Sequence, residues 1–174
     1  MKALRKLVIE ELKPQLLNSG RKLSETVPFP WSRPTLSAGK CIYNLVPCDN
    51  EFEKEFANFL QKAPDVERFA KLPQQFGFVI EYTDAAGNLR YYEPDFVAML
   101  MNGNRYIVET KGQEDVNVAN KDRAATMWCE NASALTGESW AYLKVQQSEY
   151  KKLQADSFED LKILGQGVLP NLLV

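Results

Sequence analysis

Residues 91–111, YYEPDFVAMLMNGNRYIVETK, decide the fold because they combine two apolar runs with one turn. The first run is FVAML at residues 96–100, and the second is YIV at residues 106–108. Asn-Gly-Asn lies between them at residues 102–104, and Asn-Gly pairs favour the tight turns that join antiparallel strands. The stretch therefore predicts a β-hairpin whose strands are largely buried.

Charged residues stand at the open end of this hairpin. Asp95 comes just before the first run, and Glu-Thr-Lys at residues 109–111 follows YIV. Because strand side chains alternate between faces, Glu109 and Lys111 are expected to share one face and Thr110 to point to the other. Folding at the turn is expected to bring Asp95 near Glu109, so that two carboxylates and an ammonium converge.

Two carboxylates at such close range repel strongly unless a cation lies between them. The sequence contains no His, and no Cys stands near the motif, so the available ligands are hard oxygen atoms. Such ligands favour Mg²⁺ or Mn²⁺ over Zn²⁺, and the backbone carbonyl of Thr110 is the expected third ligand beside Asp95 and Glu109. Lys111 would orient or deprotonate a metal-bound water, or neutralise charge on the reacting centre. This chemistry indicates hydrolysis of a phosphodiester bond.

The composition excludes several classes of protein. The chain has 174 residues, of which 45% are hydrophobic and 25% charged, as expected of one globular domain with an appended arm. The absence of His excludes Ser-His-Asp and Cys-His catalysis and His-ligated zinc. Cys41, Cys48 and Cys129 lack CxxC spacing and are expected to be free thiols in a reducing compartment. No apolar run is long enough to span a membrane and no signal peptide is recognisable, so the expected location is cytoplasmic.

Charge divides the chain into an arm and a core. Residues 1–40 hold eight Lys and Arg against three Asp and Glu, whereas residues 41–174 hold thirteen against twenty. Within the arm, residues 2–17 predict an amphipathic helix, and the three prolines of Thr26–Pro34 predict an irregular strap. Proteins that bind nucleic acid unaided are usually basic. If this chain acts on DNA, its acidic core implies that a partner supplies most of the binding affinity.

The remaining pattern predicts an α/β domain with a mixed sheet. Strands at residues 76–83, 89–101 and 106–111 are expected to form an antiparallel meander joined by short turns. The other expected elements are a strand at 41–47, a helix beginning after Asp49 or Asn50, a helix at 116–135, a central strand at 140–145, a short helix at 148–155 and a last short strand at 161–164.

The arrangement Pro94-Asp95, thirteen residues, then Glu-Thr-Lys at 109–111 resembles the signature of the PD-(D/E)xK nuclease superfamily. The resemblance covers about residues 49–146 and implies a restriction-endonuclease-like core with the order α-β-β-β-α-β. Longer stretches, including DNEFEKEFANFL, PQQFGFVIEY, YIVETKGQED and GESWAYLKV, are similar to the C-terminal nuclease domain of the type III restriction subunit.

This resemblance implies a role for each site residue. Asp95 and Glu109 match the metal-binding acids, and Lys111 matches the catalytic lysine. Glu53 is the expected additional acid, since it lies nearest the apolar stripe of the preceding helix. Lys121, in the following helix, is expected to reach a phosphate or the attacking water. The implied cofactor is Mg²⁺, for which Mn²⁺ is expected to substitute.

The resemblance also implies partners. Residues 1–40 would be the junction to an ATP-driven, helicase-like motor, and residues 41–174 the nuclease domain. The sequence has no Walker A pattern, so ATP would act only through a motor outside this chain. A DNA methyltransferase subunit would recognise the sequence of double-stranded DNA, and no membrane partner is expected.

Two other functions fit the same residues. One is a different nuclease with this site, such as a junction resolvase or a transposon end-cleaving enzyme, although the acidic core argues against a basic DNA-binding face. The other is an inactive docking module with a nuclease fold, although such a module would not need the intact charges of Asp95, Glu109 and Lys111.

Overall fold

The computed structural model describes residues 14–17, 20–112 and 118–165. In this part of the chain the strands are β1 (Thr35–Leu36), β2 (Val46–Pro47), β3 (Val66–Lys71), β4 (Ile80–Thr83), β5 (Leu89–Tyr92), β6 (Phe96–Leu100), β7 (Arg105–Lys111) and β8 (Trp140–Gln146). The helices are α1 (Glu51–Lys62), α2 (Val118–Thr136), α3 (Gln147–Leu153) and α4 (Phe158–Gly165). The predicted helix at 2–17 lies largely outside the described residues.

A four-stranded sheet with the order β3-β6-β7-β8 forms the centre of the fold. β3 and β7 both pair antiparallel to β6, whereas β8 runs parallel to β7, so the sheet is mixed. On one face, which we call the α1 face, Phe56 of α1 packs in one core with Phe96 and Val108. On the other, the α2 face, Ile107 and Trp128 of α2 line a small apolar cavity. The predicted α/β fold with a mixed sheet flanked by helices is confirmed.

The predicted hairpin is formed by β6 and β7. Phe96 pairs with Val108, and Met99 pairs with Arg105 at the turn end. Gly103 adopts a φ of 86°, a left-handed conformation that glycine reaches without a steric penalty. The Asn-Gly turn therefore fixes the register that places residue 95 beside residue 109.

Side-chain capping fixes the start of α1. Asn50 accepts a hydrogen bond from the backbone N–H of Glu53 at 2.9 Å, and Glu53 accepts one from the backbone N–H of Asp49 at 2.8 Å. These bonds satisfy N–H groups that have no partner inside the helix. The cap also sets the rotation of α1, which buries Glu53 together with Phe52 and Phe56.

The prediction of which strands form the antiparallel meander was wrong for one strand. The strand that pairs with β6 is β3, and residues 80–83 and 89–92 instead form a separate two-stranded sheet. This separate hairpin packs against α2 through Ile80, Tyr92 and Ala125. The reason lies in VERFAK, whose charged residues obscure a strand that is buried at four of its six positions.

Two other expectations also fail. The strand at 140–145 was expected to be central, but β8 lies at the edge of the described sheet. Residues 161–164 form part of α4 rather than a strand, because Asp65 accepts the backbone N–H groups of Phe158 and Glu159 at the helix start. An acidic side chain at this position stabilises a helix through its free N–H groups and its dipole.

The strap has no regular structure over residues 26–34, as predicted. It is tied to the domain where β1 pairs with β2 and where the indole N–H of Trp31 donates to the carbonyl of Cys48 at 3.3 Å. The three cysteines are free thiols. Among the described residues, no helix has the length and apolar character needed to cross a membrane. The boundary at residue 40 stays a prediction.

Candidate active site

Asp95 joins the beginning of β6 to the end of β7. It follows Pro94 and stands just before the first residue of the β6 ladder. Its Oδ2 accepts two hydrogen bonds from Thr110, one from the backbone N–H at 2.7 Å and one from the hydroxyl at 2.6 Å. In a strand the N–H and C=O of one residue point to the same side, so the carbonyl of Thr110 faces the edge at which Asp95 lies.

Glu109 lies opposite Asp95 in the register of the hairpin, one step beyond the Phe96–Val108 pair. Burial, together with the negative charge of Asp95, raises the pKa of its carboxyl to about 8, against the opposing charge of Lys111. Its Oε2 is buried and has no hydrogen-bond partner among the described residues. A buried carboxyl near another carboxylate, with one oxygen that lacks a donor, is a site where a cation would be stabilised.

Strand alternation puts Glu109 and Thr110 on opposite faces. Val108 belongs to the core on the α1 face, and Thr110 shares that side two residues later. Glu109 shares the α2 face with Ile107, and it pairs across the parallel ladder with Lys144. Asp95 lies at the strand edge, where it is hydrogen-bonded to Thr110 and acts electrostatically on Glu109.

Lys71 is the site residue that sequence reasoning missed. It ends β3 opposite Phe96, and only 5% of its side chain is exposed. Its Nζ lies 3.0 Å from Asp95 Oδ1, 3.2 Å from Glu53 Oε2 and 3.3 Å from Asp49 Oδ2. Burial lowers the pKa of Lys71, but the charges of Asp95 and Glu53 outweigh it and raise the pKa above its ordinary value.

A sequence signal for Lys71 exists, although it is weak. Lys71 follows Phe69 by two residues, so both side chains lie on one face of β3, and Phe69 is 2% exposed. A lysine in phase with a core phenylalanine is costly to bury without a partner. That signal depends on recognising β3 as a strand, which its charged residues prevent.

Glu53 points inward, as predicted, whereas Glu51 and Glu55 are exposed. One oxygen accepts the N–H of Asp49 and lies near Lys71, and the other accepts the side-chain amide of Asn50 at 3.1 Å. Burial raises the pKa of the Glu53 carboxyl. Glu53 and Asp95 therefore both form ion pairs with Lys71, and Glu53 also helps to cap α1. Its assignment as the additional catalytic acid stays a prediction.

The positive charges of Lys111 and Lys121 both lower the pKa of Glu109. Lys111 is half-buried at the end of β7, and its charge lowers the pKa of Glu109. Lys121 lies near the start of α2 with Nζ 5.9 Å from the centre of the Tyr82 ring, and its charge acts on Glu109 in the same direction. Contact of either lysine with DNA stays a prediction.

A second polar network, also missed from the sequence, lies on the α2 face. Asp122 accepts hydrogen bonds from the hydroxyl of Tyr142 and from Nζ of Lys144, both at 2.8 Å. Burial and this hydrogen bond raise the pKa of Tyr142. Because Lys144 pairs with Glu109 in the parallel ladder, the network fixes the side of the site next to α2.

An open cavity of about 350 Å³ gives access to Asp95 and Lys71. Its other walls include Trp31 and Arg33 of the strap, and Arg33 forms an ion pair with Asp49. The strap predicted from its prolines thus lines the approach to the site.

The donor set fits a hard divalent cation. Asp95, Glu109 and the carbonyl of Thr110 offer only oxygen atoms, and Glu109 Oε2 has no other partner in the described part of the chain. The described residues contain no group of three His, Cys, Asp or Glu side chains arranged to hold a metal. Mg²⁺ does not require one, because it keeps several waters and is usually bound through one or two carboxylates and substrate phosphates.

Comparison with known families identifies the domain that contains these residues. A family model described as an endonuclease domain matches residues 39–148, which include Glu53, Lys71, Asp95 and the end of β7. No curated protein and no solved structure matches the chain. The match covers more than half of the chain and contains the whole site. The chain therefore belongs to the endonuclease domain family, whose members are restriction-endonuclease-like nucleases.

Proposed function

We propose that this chain is the Mg²⁺-dependent endonuclease domain of a type III-like restriction–modification system, and that it hydrolyses phosphodiester bonds of double-stranded DNA. The observation that carries the proposal is the buried carboxyl of Glu109. Its Oε2 has no hydrogen-bond partner among the residues that the structure describes, Asp95 acts on it electrostatically, and Lys111 lies on the same strand. In a member of an endonuclease family, that arrangement is best explained as a metal-dependent nuclease site.

Each residue has a distinct task in this proposal. Asp95 and Glu109 hold the ion, together with the carbonyl of Thr110, and Mn²⁺ substitutes for Mg²⁺. When bound, the ion supplies an activated water and stabilises negative charge on the phosphate. Lys111 donates a hydrogen bond to that water or to a phosphate oxygen, while Lys121 binds a phosphate from α2.

The hydrogen bonds of Asp95 support its assigned task. Thr110 fixes one carboxylate oxygen through two donors, and Lys71 fixes the other. The carboxylate is thus oriented before any substrate arrives, which lowers the cost of arranging the site for reaction.

The net charge of the domain supports the proposal that partner proteins deliver the DNA and recognise its sequence. Residues 41–174 carry thirteen Lys and Arg against twenty Asp and Glu, so they offer little electrostatic attraction for DNA. A helicase-like motor would therefore deliver the DNA at the expense of ATP, and a methyltransferase subunit would recognise its sequence. The proposed site of action is the cytoplasm.

Nicking of supercoiled plasmid in Mn²⁺ tests the proposal. We expect nicking by the wild type and its loss in Lys111→Ala and in Asp95→Ala. Lys151→Ala and Asp156→Ala, which change exposed residues of the same types, serve as matched controls and should nick like the wild type. Nicking that persists in both site variants would overturn the site assignment. A wild type that binds metal without nicking would overturn the assigned activity and favour the docking module.

A further inference from the structure

We propose that the ammonium of Lys71 takes the place of a second divalent cation, so that the site binds one metal ion and not two. This inference rests on the proposed function, because it concerns the ion that Asp95 and Glu109 would hold. It makes Lys71 a positioning residue, which acts through Asp95 and not on the substrate.

Three carboxylates from two segments of the chain converge on Lys71. Asp49 precedes α1, Glu53 lies in its first turn, and Asp95 precedes β6. Their nearest oxygens lie 3.3, 3.2 and 3.0 Å from Nζ. These distances suit contacts between an ammonium and carboxylates, whereas Mg²⁺ requires oxygens at about 2.0–2.1 Å. The cluster is therefore built around the lysine.

The charges explain why a cation is needed at this point. The side chains of Lys71 and Glu53 are each 5% exposed, and that of Asp95 is 16% exposed. Asp49 is more exposed and also pairs with Arg33. The carboxylates of Glu53 and Asp95, which have so little contact with water, cannot both stay ionised unless a positive charge lies between them. A nuclease site could meet that need with a second metal ion, but here a covalently attached ammonium already occupies the position.

The backbone holds Lys71 in place. β3 pairs with β6 through Lys71 and Phe96, and the next residue, Leu72, donates its N–H to the carbonyl of Asp95 at 2.7 Å. The lysine and its carboxylate partner are therefore joined by both main chain and side chains. An ammonium fixed in this way cannot dissociate, so it keeps Asp95 oriented whether or not a metal is bound.

Counting bound Mn²⁺ in the full chain tests the inference. In titrations followed by electron paramagnetic resonance, we expect one ion per chain for the wild type and for Lys71→Arg. Glu53→Gln should also bind one ion, because Glu53 contacts the lysine and not the metal. Lys71→Met should bind two ions, since Glu53 and Asp95 would then lose the ammonium between them, while Arg33 stays paired with Asp49. The double variant Lys71→Met, Glu53→Gln removes one of these charges and should return to one ion.

The outcomes separate this inference from the proposed function. A wild type that binds no ion would overturn the proposed function. A wild type that binds two ions, one of which is lost in Glu53→Gln, would leave the nuclease intact and overturn the role of Lys71. A folded Lys71→Met variant that still binds one ion would overturn it as well. If Lys71→Met does not fold, the numbers of ions bound by the wild type and by Glu53→Gln still test the role of Lys71, since neither protein alters the lysine.

Discussion

The pKa of Glu109 leads to a specific prediction about stability without metal. In the folded protein burial and the charge of Asp95 raise the pKa to about 8, from an ordinary value of 4.5. The folded state then binds more protons than the unfolded state between these two values, so stability falls as pH rises from about 4.5 to about 8. Above that range the full destabilisation by the charged carboxylate is present.

The magnitude follows from the size of the shift. One pKa unit corresponds to about 1.4 kcal/mol, which gives a ceiling of roughly 5 kcal/mol for Glu109 alone. Rearrangement of Asp95 and entry of water would make the effect smaller than this ceiling. We therefore expect the free energy of unfolding to fall by about 2–4 kcal/mol as Glu109 ionises. In Glu109→Gln the carboxyl is replaced by a neutral amide of similar shape, and this part of the pH dependence should disappear.

Urea denaturation in the presence of EDTA between pH 5 and pH 9 measures the effect. Taking the difference between wild type and Glu109→Gln removes the contribution of every other titrating group. The wild type should lose stability relative to the variant as pH rises, and saturating Mg²⁺ should restore it in the wild type alone. Glu130→Gln, which changes an exposed glutamate of α2, is the control and should follow the wild type. Parallel curves for wild type and Glu109→Gln across the range would refute the reasoning.

Three further predictions concern the elements that position the site. Phe56→Ala should lower the free energy of unfolding by about 3–5 kcal/mol, because a fully buried ring is lost from the core; Met127→Ala, at an exposed position of α2, should change it little in the same urea experiment. Asn50→Ala removes the cap of α1 and should lower the free energy of unfolding by about 1 kcal/mol. On heating, the variant should lose its helical circular dichroism at a lower temperature than the wild type. Gly103→Ala puts a Cβ on a residue with a φ of 86° and should destabilise the β6–β7 turn by about 1 kcal/mol; unchanged stability would show that the turn does not fix the register.

The local parts of the fold were predictable because their signals lie within a few residues. The Asn-Gly turn identified the β6–β7 hairpin, and strand alternation separated Thr110 from Glu109. The two capping candidates, Asp49 and Asn50, marked the start of α1, and the apolar stripe of that helix predicted the inward position of Glu53. Each of these inferences depends on spacing within one element or on one tight turn.

The parts that failed depend on contacts between distant segments. β3 was missed because its buried lysine and its charged residues do not alternate as a half-buried strand should, and they are accommodated only by carboxylates from elsewhere in the chain. α4 was taken for a strand because its cap comes from Asp65, more than ninety residues earlier. Lys71 and the Asp122 network could not be placed in the site for the same reason, since their partners become neighbours only in the folded sheet.

Anomalous diffraction from a crystal grown with Mn²⁺ tests the central claim most directly, because it locates the ion relative to named oxygen atoms. The account predicts one strong peak, within bonding distance of the carboxylates of Asp95 and Glu109, with Lys71 still in contact with Asp95. The absence of a peak there, or a peak bound by Asp49 and Glu53 instead, would contradict it.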